Sequence, residues 1–257
     1  MFQPTSYPHA VTNELTSYWA KRAEGYNQVS NDELQSNKQQ IWLNFILGLA
    51  PQKETLKVLD IGCGPGFFAV TLAMAKHQVT AVDATPAMLE QARNNAQQHH
   101  VDIEFVESDV HQLPFADNQF DLIVTRNVTW NLANPAKAYQ EWYRVLANEG
   151  RLLNFDANWY LRLYEPQRVA GYEQDRLNVQ KAGVEDQYLH TDTVTMENIA
   201  RQLPLSRELR PHWDFAVLVD CGFRRIHIDL SAAEALWDDT EKLNNASTPM
   251  FLIAAEK

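Results

Sequence analysis

Apolar positions change their spacing along this chain, and the change divides it. Over 13–25 and 36–49 they recur every three to four residues: Leu15, Tyr18 and Trp19 first, then Ile41, Trp42, Phe45, Ile46 and Leu49. That period predicts two helices, the second stopped by Pro51. From residue 57 short apolar runs alternate with helical stretches. "KVLDIG" (57–62), "QVTAVD" (78–83), "IEFVESD" (103–109), "FDLIVTRN" (120–127) and "RLLNFDAN" (151–158) read as strands. Between them, 67–75 is apolar on nearly every side, and 86–98 opens with Thr85 as cap and Pro86 in its first turn. A further helix opens at Asn134-Pro135. It carries Ala138, Tyr139, Trp142, Val145 and Leu146 as one stripe and is predicted to end at Gly150. Such alternation predicts an α/β fold with a parallel sheet covered on both faces.

Residues 159–212 break the alternation and are too long for a simple loop, so they are expected to hold helices packed over the carboxyl edge of the sheet. A helix near 213–221 and strands over 224–230 and 249–257 complete the pattern. The expected organisation is a helical segment over 1–50, a core over 51–158 and 213–257, and an inserted helical cap over 159–212. Ligands on a sheet of this kind bind beyond the carboxyl ends of the strands, at the point where strand order reverses.

Charge narrows the partners. A formal net charge of -11 across 257 residues, with no basic run, disfavours a nucleic-acid backbone or an anionic membrane surface. Neither Cys63 nor Cys221 has metal-ligand spacing, and no metal is expected. No cationic start precedes an apolar stretch and no apolar run is long enough to span a bilayer, so the expected setting is cytoplasmic.

The candidate chemistry begins at "VLDIGCGPGFF" (58–68). Three of the chain's nine glycines, Gly62, Gly64 and Gly66, stand between a strand and a helix. Glycine there lets a ligand approach the backbone, and the helix start offers free N–H groups. A phosphate loop of the Walker type would need Lys and Ser/Thr where Phe67 and Phe68 stand. A nicotinamide dinucleotide loop would place its third glycine one residue later. Asp83 suits a ribose diol in either remaining case, whereas Asp60 would crowd a pyrophosphate and suits a ligand with an ammonium group.

The D-x-G-x-G-x-G run, with the later runs "AVDATPAML", "ESDVHQLPF" and "FDLIVTRNVTW", resembles the class I S-adenosylmethionine-dependent methyltransferases over about 100 residues, 57–156. The resemblance implies a doubly wound, Rossmann-like sheet of seven mostly parallel strands with an antiparallel last strand and a helical lid. It implies S-adenosyl-L-methionine as cofactor, released as S-adenosyl-L-homocysteine. Carried over residue by residue, Gly62, Cys63, Gly64 and Gly66 pass under the methionine part, with Asp60 near its amino group. Asp83 takes the ribose hydroxyls, with Ala84 and Met88 beside the adenine. Asp109 accepts from the adenine amino group and Val110 offers its N–H. The backbone at Arg126 and Asn127 holds the methionine end, and Tyr26 closes over the cofactor.

The acceptor is less legible. A small molecule is expected, because "TRNVTWN" lacks the [DNS]-P-P-[YF] signature of many enzymes that methylate nucleic acid or amides. Trp130, Trp159 and Tyr160 are candidates for its walls, Tyr164 for a polar contact to it, and Arg207 and Arg210 for binding an acidic group. His190, His212 and Asp156 are candidates for a general base, needed only if the acceptor loses a proton. An NAD-dependent oxidoreductase and a non-catalytic cofactor-binding regulatory module stand as alternatives.

Overall fold

A computed structural model describes residues 9–189 and 191–257. Seven strands form one sheet: β1 Lys57–Ile61, β2 Gln78–Asp83, β3 Glu104–Glu107, β4 Phe120–Arg126, β5 Leu146–Asp156, β6 Arg224–Asp229 and β7 Phe251–Glu256. Their order is β3-β2-β1-β4-β5-β7-β6. Six strands run parallel, while β7 runs antiparallel to both its neighbours. The seven-stranded Rossmann-like fold with its antiparallel last strand is therefore present. Strand order reverses between β1 and β4, which places the carboxyl ends of those two strands at the switch point.

The central strands are buried on both faces, as their continuous apolar runs require. Val58, Leu122, Leu153 and Leu252 pack on one side, with the helices α2 Lys38–Leu49 and α3 Phe67–Met74. Leu59, Ile123, Leu152 and Ile253 pack on the other, with α5 Pro135–Val145 and α8 His212–Cys221. The helix α4 Pro86–Gln98 lies between β2 and β3 in the chain and closes its turn with buried Met88, Leu89 and Ala92.

Several elements differ from the sequence expectation. The first helix, α1, spans His9–Leu34 and not 13–25. The turns added at its carboxyl end are mostly polar and make polar contacts: Asn27 Oδ1 accepts from Asn95 of α4 at 2.8 Å, and Glu33 pairs with Arg126. The helix α5 ends at Val145 rather than at Gly150, because the chain turns into β5 at once and Leu146 pairs with Phe120 before the ladder shifts register. Residues 159–212 contain α6 Val169–Ala182 and α7 Thr193–Ala200 with three short 3-10 turns. Two further helices, α9 Ala232–Leu236 and α10 Asp239–Asn244, fill a segment with no sequence expectation.

The 159–212 segment packs on α1. Met196, Ile199, Ala200 and Leu203 meet Val11, Leu15 and Tyr18 in a separate apolar cluster, together with Trp130, which follows β4. Trp159 and Tyr160, which follow β5, lean on the same cluster. A buried ionic group joins this segment to the sheet. Arg210 pairs with Asp156 at the end of β5 and with Asp214 of α8, all three side chains at most 1% exposed.

Candidate functional site

A cavity of about 150 Å³ lies beyond the carboxyl ends of β1, β2, β3 and β4. Its floor is the loop after β1. Gly62, Gly64 and Gly66 all have positive φ, at 62°, 52° and 89°. Two of them serve different ends. A Cβ on Gly62 would stand 2.4 Å from Val128 Cγ2, so this glycine exists to let the loop pack against the segment after β4. A Cβ on Gly64 would meet nothing within 4 Å. Gly64 lines the cavity, so its bare backbone faces whatever the cavity holds. Gly66 lies against Ala92 of α4 and does not line the cavity.

Asp83, at the end of β2, ties this loop down. Its Oδ2 accepts from the Gly64 N–H at 2.9 Å and its Oδ1 from the Thr85 N–H at 2.8 Å. Each oxygen keeps a further lone pair, and the carboxylate lines the cavity beside Ala84 and Met88. Burial pushes its pKa above the ordinary carboxylate value, against the pull of the Gly64 hydrogen bond. Asp109 and Val110, after β3, form the adjoining wall. Asp109 is held below the ordinary value, chiefly by a hydrogen bond from the His111 ring.

Arg126 and Asn127 close the far side. Arg126 makes two bonds to Glu33 of α1, at 3.0 and 2.8 Å, while its guanidinium lies over the rings of Trp42, Phe67 and Phe68. Asn127 sits at φ 59°, donates to the Phe155 carbonyl and accepts from the Trp130 indole. Its side-chain Oδ1 is buried without a partner among the described residues. The roof is one stripe of α1: Thr12, Leu15, Thr16 and Trp19, continued by Tyr26. Tyr26 meets Trp19 edge to face at 5.5 Å, and burial raises its phenol pKa.

The cavity thus brings together Tyr26, Gly62, Gly64, Asp83, Ala84, Met88, Asp109, Val110, Arg126 and Asn127 from the cofactor set expected from sequence. Three of that set lie elsewhere. Asp60 is 2% exposed beneath the loop, where its Oδ2 caps α3 by accepting from the Ala69 N–H at 3.0 Å. Burial pushes its pKa up to about 7. Cys63 is buried and Gly66 packs on α4.

None of the acceptor or base candidates within the described residues lines the cavity. Asp156 is consumed: one oxygen accepts from the Ala157 N–H and the Trp159 indole, the other from the Trp130 N–H and Arg210. Arg210 is 2% exposed in the ionic group already described, so it is not available to a carboxylate ligand. Arg207 and Tyr164 meet each other on the exposed surface, both bonded to the Arg201 carbonyl. Trp130, Trp159 and Tyr160 belong to the apolar cluster beneath the 159–212 segment. His212 is exposed at the start of α8, and His190 lies outside the described residues.

Sequence reasoning missed His111, Asn131, Leu132 and Ala133 along the wall, and Thr12 and Thr16 in the roof. The α1 residues had a signal. Positions 12, 15, 16 and 19 share one helical face, and the polar members hid the stripe.

Residues 59–154 match the family described as "Methyltransferase domain". The chain is 32% identical over 145 residues to the malonyl-[acyl-carrier protein] O-methyltransferase of Legionella pneumophila, covering 56% of this chain and 49% of that protein. It is 34% identical over 141 residues to the 2-phytyl-1,4-naphtoquinone methyltransferase of Nostoc punctiforme, covering 53% of this chain and 61% of that protein. The match therefore spans about half to three-fifths of these relatives. A structure from Methanococcus maripaludis, described as a "putative s-adenosyl-l-methionine-dependent methyltransferase", shares the fold at TM-score 0.60 and 21% identity, covering 100% of this chain and 97% of that one.

Proposed function

We propose that this chain, a member of the class I S-adenosylmethionine-dependent methyltransferases through residues 59–154, transfers a methyl group to a small, neutral acceptor. The observation that carries the donor half is the convergence of bare Gly64, Asp83 and Asp109 on one cavity. Their chemistry fits the donor. Gly64 has nothing where a Cβ would stand, so a ligand can lie on the loop. Asp83 keeps one lone pair per oxygen beyond its backbone bonds, which suits a vicinal diol. Asn127 Oδ1 is a buried acceptor awaiting a donor such as an ammonium group.

When bound, the donor supplies a methyl group activated by a sulfonium. The chain's own part is to bind, align and keep water out. Asp83 and Asp109 orient the nucleoside end, while Tyr26, Trp19 and Leu15 of α1 cover the site as a lid. Arg126 and Glu33 fasten the end of that lid to β4. Methyl transfer by in-line displacement draws on alignment, so no general base from this chain is required when the attacking atom of the acceptor has a lone pair and need not lose a proton.

The two named relatives act on unlike acceptors, a phytyl-naphthoquinone and a malonyl-acyl carrier protein. The acceptor class therefore rests on this chain's own cavity. The lining residues not assigned to the donor are Thr12, Leu15, Thr16, Trp19, Thr85, His111, Val128, Asn131, Leu132 and Ala133, with no Asp, Glu, Lys or Arg among them. This wall supports a neutral, partly apolar acceptor with hydroxyl-sized polar groups. Incubation with methyl-labelled S-adenosylmethionine and a metabolite extract, followed by separation by charge, tests this. Label is expected in the neutral, solvent-extractable fraction. Label confined to the anionic fraction overturns the acceptor class. Saturable donor binding without any labelled product favours the regulatory module.

A further inference from the structure

The wall after β3 contains a histidine that no sequence motif explains. His111 lines the cavity and its side chain is only 13% exposed, whereas the Asp109 side chain is 64% exposed. Asp109 receives two donors, and both land on Oδ1. The His111 backbone N–H comes to 2.9 Å and the His111 ring Nδ1 to 2.5 Å. Oδ2 is the oxygen left for a ligand.

The other ring nitrogen fixes the arrangement. Nε2 of His111 accepts from the Asn134 N–H at 3.3 Å, so the neutral ring carries its proton on Nδ1 and donates it to Asp109. Asn134 is itself the N-cap of α5, its side chain accepting from the Lys137 N–H at 3.1 Å. The ring is therefore braced between the loop after β3 and the start of a buried helix. An exposed carboxylate with three free rotamers is held in one.

We infer that His111 is a positioning residue that fixes Asp109 as an acceptor-only reader of the base, and so sets selectivity for a 6-amino over a 6-oxo purine. This rests on the donor reading given above. The ring's hydrogen bond also holds the Asp109 carboxyl further below its ordinary range. An ionised carboxylate can only accept, so it rewards an exocyclic amino group and repels a keto oxygen in the same place. Without the brace the carboxylate can swing into solvent, and its preference weakens.

The alternative is that His111 merely joins two pieces of the fold. In that case its loss changes stability and scales the affinity for both purines alike. The test is the ratio of two dissociation constants, measured by calorimetry on the full chain: S-adenosylhomocysteine against S-inosylhomocysteine, its 6-oxo counterpart. One hydrogen bond to a charged group corresponds to a preference of about 10- to 100-fold in the wild type.

His111→Leu keeps the volume and removes both ring hydrogen bonds. It is expected to lower the ratio at least about fivefold, mainly by weakening the adenine compound, which is part of that one-bond effect. His111→Asn keeps a donor near the Nδ1 position but cannot reach Asn134, and is expected to retain most of the ratio. In an Asp109→Asn background, His111→Leu is expected to add no further loss of ratio. A wild-type ratio in His111→Leu overturns the inference. Should His111→Leu fail to fold, an Asn variant that loses the ratio despite its donor overturns it as well. Failure of the wild type to bind S-adenosylhomocysteine would instead strike the donor reading itself.

Discussion

Gly62 and Gly64 stand two residues apart in one loop with nearly the same backbone conformation, yet an added methyl should act on them in opposite ways. Each alanine carries the strain of a left-handed residue, about 1–2 kcal/mol. For Gly64→Ala that strain is the whole cost to folding, because its Cβ meets nothing within 4 Å. In a chain of this size it lowers Tm by roughly 2–8 °C. For Gly62→Ala the Cβ would lie 2.4 Å from Val128 Cγ2, and relief of that overlap adds about 1–3 kcal/mol. Ligand binding reverses the order. The Gly64 methyl projects into the cavity, where overpacking of about 1–3 kcal/mol weakens S-adenosylhomocysteine by roughly 5- to 150-fold. Gly62→Ala, where it folds, leaves the cavity face of the loop bare and loses less. Thermal melts and calorimetry on the two variants give both orders. Equal stabilities, or wild-type affinity in Gly64→Ala, would refute the assignment of distinct roles to the two glycines.

The same structure fixes three further outcomes. Asp83→Ala removes the carboxylate assigned to the ribose diol and should weaken S-adenosylhomocysteine by about 10- to 100-fold in calorimetry, while undiminished affinity removes that assignment. Arg210→Met leaves Asp156 and Asp214, both buried, without their counter-charge, and urea melts should show a loss of about 3–5 kcal/mol; a loss under 1 kcal/mol would mean that the ionic group does not bind the 159–212 segment to the sheet. Asp60 is pushed up to about 7 by burial, above its unfolded value, so the folded chain keeps a proton there that the unfolded chain has released. Its contribution is complete below about pH 4 and is lost as pH rises to 7, so the stability difference between wild type and Asp60→Asn should fall across that window by on the order of 3–4 kcal/mol, and a flat difference contradicts the buried acid.

The sheet was legible wherever apolar runs were continuous. The strand over 78–83 and the helix over 86–98 occur at those limits, because Asp83, Thr85 and Pro86 mark the turn between them in sequence. What escaped was held by polar contacts. The last turns of α1 lie beyond the helix predicted over 13–25, since Asn27 and Glu33 find partners on α4 and β4 that no periodicity reveals. The acceptor candidates lie outside the cavity for a related reason. Trp130, Trp159 and Tyr160 follow strand ends, where ligands bind, but such positions also seed the cluster that supports the 159–212 segment, and packing took them. Arg210 looked like an anion binder and is the counter-ion of two buried carboxylates. Asp60 was expected beside the ligand and instead caps the helix below it, because it lies inside β1, which runs on through Ile61 before the bare backbone of the loop begins. His111 left no signal beyond its place two residues after Asp109.

The central claim is that the cavity beyond β1, β2, β3 and β4 is built for a nucleoside with a cationic amino-acid tail and not for a dinucleotide. Parallel calorimetric titration of the unmodified chain with S-adenosylhomocysteine and with NAD tests it most directly. Saturable one-to-one binding of S-adenosylhomocysteine, with NAD far weaker or silent, is the predicted result. Binding of NAD with no heat from S-adenosylhomocysteine would contradict it.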